Sequence, residues 1–396
     1  MVLKVALCYK HLSPTAKLEF EELMRKLNPP KFAADVVLEI CITGITDADL
    51  KKRVVASRHF LNQVALEYDA TGKNMDFFQL AEFKGSDDDI VIGYLSKSDL
   101  KKLYSSYFVP SDKPTRYVYE RILSSSENNI CPFCGFGHTK NLDHFLPKSK
   151  HPRFSVTPHN LVPACRDCNM DKLATTSSKK DEQCIHPYYD ELFFFSEQWL
   201  FAEVRRTLPI TLRFYSKVGV PAPAGALQRT SSHLRSFGLN LRFSVQAATE
   251  LTAISKHLST VPTLELRKQY LNEKEESYRS IHPNSWQTAM TQALKLDSWF
   301  LNDGYSSHLQ KIVTDLKLMA TPEYCLKCER DGAHYLPSGK VCEFHLDPAT
   351  PESSIPPYKG VIPENARCKG DECVEKPTMI FKGNCYCFYH RFEAGI

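Results

Sequence analysis

The sequence predicts an α+β protein that is mainly helical, with small cysteine-rich modules at its centre and in its C-terminal part. Three observations predict this. Apolar residues recur at helical spacing through much of 1–125 and 225–319. Two runs, 199–204 and 210–218, alternate apolar and polar residues in places, as half-buried strands do. Of the 14 cysteines, four fall within 131–168 and seven within 325–387, where long periodic segments are lacking.

The elements follow in chain order. Ser13 and Pro14 form a helix start, the hydroxyl as N-cap and the proline in the first turn. Leu18, Phe20, Leu23, Met24 and Leu27 then recur at roughly helical spacing, and Pro29 with Pro30 ends the segment. Residues 47–67 repeat the pattern with Leu50, Val54, Val55, Leu61 and Val64, and 98–107 and 114–123 form two shorter helices. Cys41 and His59 fit core or surface positions better than ligand positions, and nothing in this stretch converges on chemistry. After the two strands, helix returns most clearly over 243–258 and 286–318, punctuated by Pro262 and by Pro283 with Asn284.

Length and composition bound the classes. A chain of 396 residues exceeds one average domain, and composition divides it at 1–125, 126–190, 191–320 and 321–396. A hydrophobic fraction of 42% suits globular cores and excludes a disordered chain. No apolar run approaches the ~18–20 residues of a spanning helix. The apolar start is soon broken by Lys10, His11 and Pro14, so no secretion signal is expected and the compartment is expected to be a reducing cytoplasm. Paired cysteines there are metal ligands before they are disulfides. The net charge is only +4, yet 136–180 holds eight basic residues against three acidic ones, so the positive charge is concentrated there.

Residues 131–172 carry the strongest signal. Cys131 with Cys134 and Cys165 with Cys168 are two C-x2-C knuckles, which together complete a closed tetrahedral zinc site. Between them, 142–147 is strand-like, so Asp143 and His144 send their side chains to opposite faces. A loop rich in proline and lysine leads to Asn160, Leu161 and Val162 begin a return strand, and 166–175 can form a short helix carrying Asn169 and Lys172 on one face.

Asp143, His144 and Asn160, followed by the C-x2-C-N-x2-K ending, stand in the order of the HNH, or ββα-metal, nuclease superfamily, and this stretch of about 40 residues resembles its zinc-knuckle subgroup. The resemblance implies a metal-dependent endonuclease hydrolysing phosphodiester bonds, with DNA ahead of RNA as substrate. It implies His144 as general base, Asp143 and Asn169 as ligands of a hard Mg²⁺ or Mn²⁺, and Asn160 as the residue that holds the loop. Lys172, Lys148 and Arg166 would contact substrate. Asn169 stands where the superfamily often has His, which shifts expectation toward oxygen-preferring metals. His138, His151 and His159 match no motif position and are expected as loop or phosphate-contact residues. Stretches such as Leu146-Pro147-Lys148-Ser149 and His186-Pro187-Tyr188 resemble a branch of HNH proteins in prokaryotic anti-phage loci, among them the nuclease subunit of Septu-type systems. That step implies a partner ATPase or another defence-system subunit.

The C-terminal cysteines form a repeat. Cys325 and Cys328 are followed after thirteen residues by Cys342 and His345; Cys368 and Cys373 are followed after thirteen by Cys387 and His390. Each unit fits a Cys3His zinc ribbon, bringing the expected structural zinc sites to three. Cys385 competes as a ligand in the second, and Cys8, Cys41 and Cys184 are left over. The same features also fit an alternative, a catalytically inactive, zinc-rich nucleic-acid-binding or adaptor protein. The oligomeric state has no marker, since no coiled-coil heptads occur.

Overall fold

The computed structural model describes residues 26–172 and 177–319, together with four short strands beyond them. The chain divides into two compact units, Met1–His308 and Leu309–Ile396. The expected helix start at Ser13 and the leftover Cys8 lie outside the described residues.

In the first unit, α1 (Ala34–Gly44) and α2 (Ala48–Lys73) open the fold. Asp47 caps α2, its carboxylate accepting from the Leu50 N–H at 3.0 Å. A small hairpin, β1 (Ile90–Ile92) and β2 (Leu95–Ser96), leads into α3 (Lys97–Tyr107), where Ser96 and Asp99 form a reciprocal capping box. The helix α4 (Arg116–Leu123) completes this region. Strands β3 (Asn141–His144) and β4 (Leu161–Ala164) pair antiparallel, Asp143 opposite Val162 and His144 opposite Leu161, and α5 (Arg166–Asp171) follows directly. The short α6 (Phe193–Ser196) then precedes the hairpin of β5 (Leu200–Arg205) and β6 (Thr211–Ser216). Helices α7 (Ala226–Ser236), α8 (Leu239–Leu258) and α10 (Trp286–Leu296) pack against that hairpin, and α9 (Leu264–Ile281) packs on α10.

The long helical stretch expected over 286–318 is interrupted. Asp297 accepts from the Phe300 N–H at 2.8 Å, and a π-turn, Phe300–Gly304, precedes α11 (Tyr305–Met319). Gly304 lies against Trp299 so closely that a Cβ there would stand 2.8 Å from the indole ring. A local side-chain acceptor thus breaks a run whose apolar spacing alone gives no warning.

Two cores result. One gathers α1, α3, α4 and one face of α2; the other runs from Tyr68 and Phe77 through the cysteine-bearing segment to the β5–β6 hairpin and the helices after it. The β3–β4 hairpin stands between them. Leu142 and Leu161 belong to the first core, Val162 and Ala164 to the second, which is the period-two alternation of a strand buried on both sides.

In the second unit, β7 (His334–Leu336) pairs with β8 (Gly339–Val341), and β9 (Met379–Phe381) with β10 (Asn384–Tyr386). The two hairpins end one residue before Cys342 and Cys387, so they occupy equivalent places in the sequence repeat. The ligands expected there, Cys325, Cys328, Cys342, His345, Cys368, Cys373, Cys387 and His390, lie outside the described residues. Among the described residues no helix is long and apolar enough to cross a membrane.

Candidate functional site

The cysteine centre is built from local turns. The Cys131 N–H donates to the Gly137 carbonyl at 2.7 Å and the Gly135 N–H to the Cys131 carbonyl at 2.8 Å; Gly135 takes a φ of 72°. Gly137 has no room for a side chain, since a Cβ there would lie 2.8 Å from Cys165 Sγ. At the other knuckle, Cys165 caps α5, its sulfur accepting from the Cys168 N–H at 3.4 Å. All four sulfurs are buried and lie within 4.8 Å of one another, Cys134 and Cys165 at 3.8 Å. A tetrahedral zinc with Zn–S bonds near 2.3 Å requires sulfur–sulfur edges of about 3.8 Å. The donor set and spacing fit, so these cysteines could hold a metal such as zinc. Hydrogen bonds among the four sulfurs, that with Cys131 foremost, push the Cys134 thiol below its ordinary value.

Four thiolates around one Zn²⁺ carry two net negative charges. Arg242, from α8, stands against them: its Nη1 donates to Cys168 Sγ at 3.2 Å and its Nη2 to Cys165 Sγ at 3.7 Å. The same guanidinium reaches Asp167 at 3.3 Å and lies 5.0 Å from the centre of the Phe136 ring. It ties the helical region to the cysteine centre and relieves its charge.

On the β3–β4 hairpin, Asp143 and His144 face opposite ways. His144 turns toward the first core, its ring centre 4.3 Å from that of Tyr104 and nearly edge-on. Its Nε2 is 2.8 Å from the Ser155 carbonyl oxygen. A carbonyl only accepts, so Nε2 carries the proton and Nδ1 keeps its lone pair. Burial lowers the imidazole pKa to about 3, with Lys148 and Lys172 acting in the same direction, so the ring is neutral at physiological pH. Asn160, fully buried, pins the intervening loop: its Oδ1 accepts from the Leu146 N–H at 2.7 Å, and its Nδ2 donates to the Leu146 and Phe154 carbonyls at 3.1 and 3.2 Å.

Asp143 turns toward the second core. Burial raises its pKa, and Lys172 opposes that rise. Lys172 was expected at a substrate phosphate. Its buried amine instead donates to Asp143 Oδ2 at 2.9 Å and to the His144 carbonyl at 2.6 Å. The reason is electrostatic: a carboxylate held in a core draws the nearest cation. Lys148 is half-buried beside the pair, Arg166 is exposed at the start of α5, and Asn169 is half-buried on the same helix. Of the unassigned histidines, His159 pairs with Asp69 at 3.1 Å and His151 is buried.

The hairpin and α5 thus bring Asp143, His144, Lys172 and the four central cysteines together, with Asn160 behind the loop. Tyr104, Ser155, Gly137 and Arg242 were not singled out from sequence. Gly137, three residues past Cys134, had a local signal. Tyr104 and Arg242 had none, since their contacts span 38 residues or more.

Fold and site define a mainly helical α+β protein assembled around a buried four-cysteine centre and an adjoining hairpin that carries an acid and a histidine. The chain belongs to the same family as protein ea31 of Escherichia phage lambda: the two are 31% identical over 293 residues, which is 68% of this chain and 97% of that protein. It is also similar, over a shorter stretch, to Septu protein PtuB of Bacillus thuringiensis, with 37% identity over 79 residues, 19% of this chain and 30% of PtuB. No protein-family model matches the chain, and neither does any solved structure.

Proposed function

We propose that the chain is a metal-dependent endonuclease of the HNH type, that it hydrolyses phosphodiester bonds in DNA, and that it serves in defence against phage. The observation that carries the reading is the state of His144. Its Nε2–H is spent on the Ser155 carbonyl, and Nδ1 keeps its lone pair on a hairpin beside Asp143; burial makes the ring a weak base, so a bound phosphate must raise its pKa before Nδ1 takes a proton. The four-cysteine centre supports it as a structural brace, and the partial similarity to a Septu protein supports the defence setting.

In this mechanism His144 Nδ1 takes the proton of a water whose oxygen attacks phosphorus, and the bond from phosphorus to the 3′-oxygen breaks. Ser155 keeps the ring aimed, and Asn160 keeps Ser155 in place through the loop. Asp143 and Asn169 offer a carboxylate and an amide oxygen, a hard donor set that suits Mg²⁺ or Mn²⁺. Asp143 Oδ2 is bonded to the Lys172 ammonium, so a metal ion there would share the carboxylate with Lys172 or displace it. Such an ion, when bound, would relieve charge on the phosphate and the leaving oxygen. Arg166 and Lys148 are the proposed substrate contacts, and Lys172 serves as the carboxylate's own counter-ion. A partner ATPase, implied by the Septu likeness, belongs to the same proposal; cleavage that requires such a partner would mark it.

Supercoiled plasmid, incubated with and without Mg²⁺ or Mn²⁺, tests the reading. Wild type is expected to nick only with metal, and His144→Ala to be slower by about 10²–10⁴-fold at unchanged zinc content. Undiminished cutting by His144→Ala would remove the role given to His144. Salt-sensitive DNA binding with no metal-dependent cutting would instead favour the inactive adaptor.

A further inference from the structure

Lys148 follows β3 and is half-buried. Its amine stands 4.7 Å from the centre of the Tyr104 ring. Nearby cations each hold a carboxylate: Lys101 that of Asp87 at 2.8 Å, Lys150 that of Glu82 at 3.1 Å, Arg153 that of Glu67 at 3.2 Å and Lys172 that of Asp143 at 2.9 Å. Among the described residues, Lys148 has no such partner. A cation drawn partly out of water without a counter-ion is costly, and an arriving anion removes that cost.

Tyr104 touches three groups on this side of the site. Its ring packs on His144 at 4.3 Å and carries the Lys148 amine, and its Oη donates to the Leu142 carbonyl at 3.1 Å, one residue before Asp143. It is well placed to hold them. It belongs to the buried stripe Leu100, Leu103, Tyr104 and Tyr107 of α3, a helix fixed by its capping box. Stacked Phe108, its ring centre 5.7 Å away, closes off more of the ring.

We propose that Tyr104 is a positioning residue that sets His144 and Lys148 on one side of the site, and that Lys148 there receives a backbone phosphate of the nucleic acid next to the bond that is cut. The role of His144 in this rests on the nuclease reading, whereas the phosphate subsite needs no cleavage. The ligand class is a phosphodiester, recognised by charge and not by base, so the contact is independent of sequence.

The full chain, loaded with zinc and with no Mg²⁺ or Mn²⁺ added, is titrated against a fluorescent DNA duplex over a series of salt concentrations. Lys148→Met is expected to weaken binding about three- to tenfold and to lower the slope of log affinity against log salt by about one; Lys148→Arg should keep both. Tyr104→Leu should reproduce the lost slope and, once Mn²⁺ is added, cut kcat by about tenfold or more through the misplaced His144. Tyr104→Phe keeps the ring, so it should keep the slope and lose only a few-fold in kcat. A wild-type slope in Lys148→Met overturns the subsite. Wild-type slope and kcat in Tyr104→Leu, or a lost slope in Tyr104→Phe, overturns the positioning role; the latter variant removes one hydroxyl and is readable even if Tyr104→Leu does not fold. If wild type binds but never cuts, the nuclease reading fails while the slope test stands. If wild type cuts while Lys148→Met keeps its slope, the subsite alone fails.

Discussion

At the scale of single residues, the site depends on buried polar groups that hold several partners at once. Asn160 shows the cost of removing one. Its amide bonds Leu146 through both backbone groups and Phe154 through its carbonyl. Asn160→Ala leaves the buried Leu146 N–H without its acceptor, and urea denaturation should report a loss of about 1–3 kcal/mol. An unchanged midpoint would mean that the loop does not depend on this amide. Asn160 was legible in sequence because its place in the motif is fixed, as were the paired cysteines, whose spacing is a local property of a knuckle. Ser155 and Tyr104 were not legible. Each is an ordinary residue by type; Ser155 acquires its role by accepting from a ring eleven positions away, and Tyr104 by packing on the same ring forty positions away. Lys172 was legible from its place in the motif, but its bond to Asp143 was not, because sequence order does not reveal that Asp143 would be buried beside it.

At the scale of elements, the hairpin and α5 are held by cysteines at their flanks, and the helix boundaries obey local capping. Asp47, Ser96 and Ser285 all sit at helix starts and accept from the expected N–H groups. The expected helices over 47–67, 98–107 and 243–258 are accordingly present with shifted ends, whereas 286–318 is split by the Asp297 acceptor. The cysteine centre separates ligand from support in a testable way. Cys165→Ser should lower bound zinc, measured by elemental analysis, and reduce stability. Arg242→Met should keep zinc at full occupancy but yield it to a chelator about 10–100-fold more readily, since outer contacts of that kind tune metal affinity by such factors. Equal release from wild type and Arg242→Met would show that the guanidinium serves the fold and not the metal.

At the scale of the whole molecule, one buried region runs from α2 through the cysteine centre to the C-terminal helices of the first unit, and it holds several neutral histidines. His186 lies under Phe77 and Phe145, and burial, reinforced by Lys172 and Arg229, holds its pKa well below the ordinary value. Burial likewise lowers His151 to about 4, and it lowers His308. Below about pH 6.5 the unfolded chain binds protons at these rings that the folded chain does not, so stability is complete above that pH and is lost as pH falls toward 4. Urea midpoints between pH 7.5 and 4.5 should decline accordingly, while the ring signals of His151 and His186 in NMR stay those of neutral imidazole down to pH 5. A His186 signal titrating near 6.5 would contradict the burial argument. The division of the fold into a helical start, a cysteine-bearing middle and a helical end could be sensed from composition. That one hairpin is shared between two cores could not, because alternation along four residues does not say what lies on either side. This sharing makes the hairpin a party wall. The His144 side chain answers to the helices before it and the Asp143 side chain to the structure after it, while Lys172, bonded to the carboxylate of one and the carbonyl of the other, couples the two. Substitutions confined to α3 should therefore shift the His144 ring signals in NMR more than those of the segment around Asp143, and substitutions in the later core the reverse; equal shifts at both would refute the division.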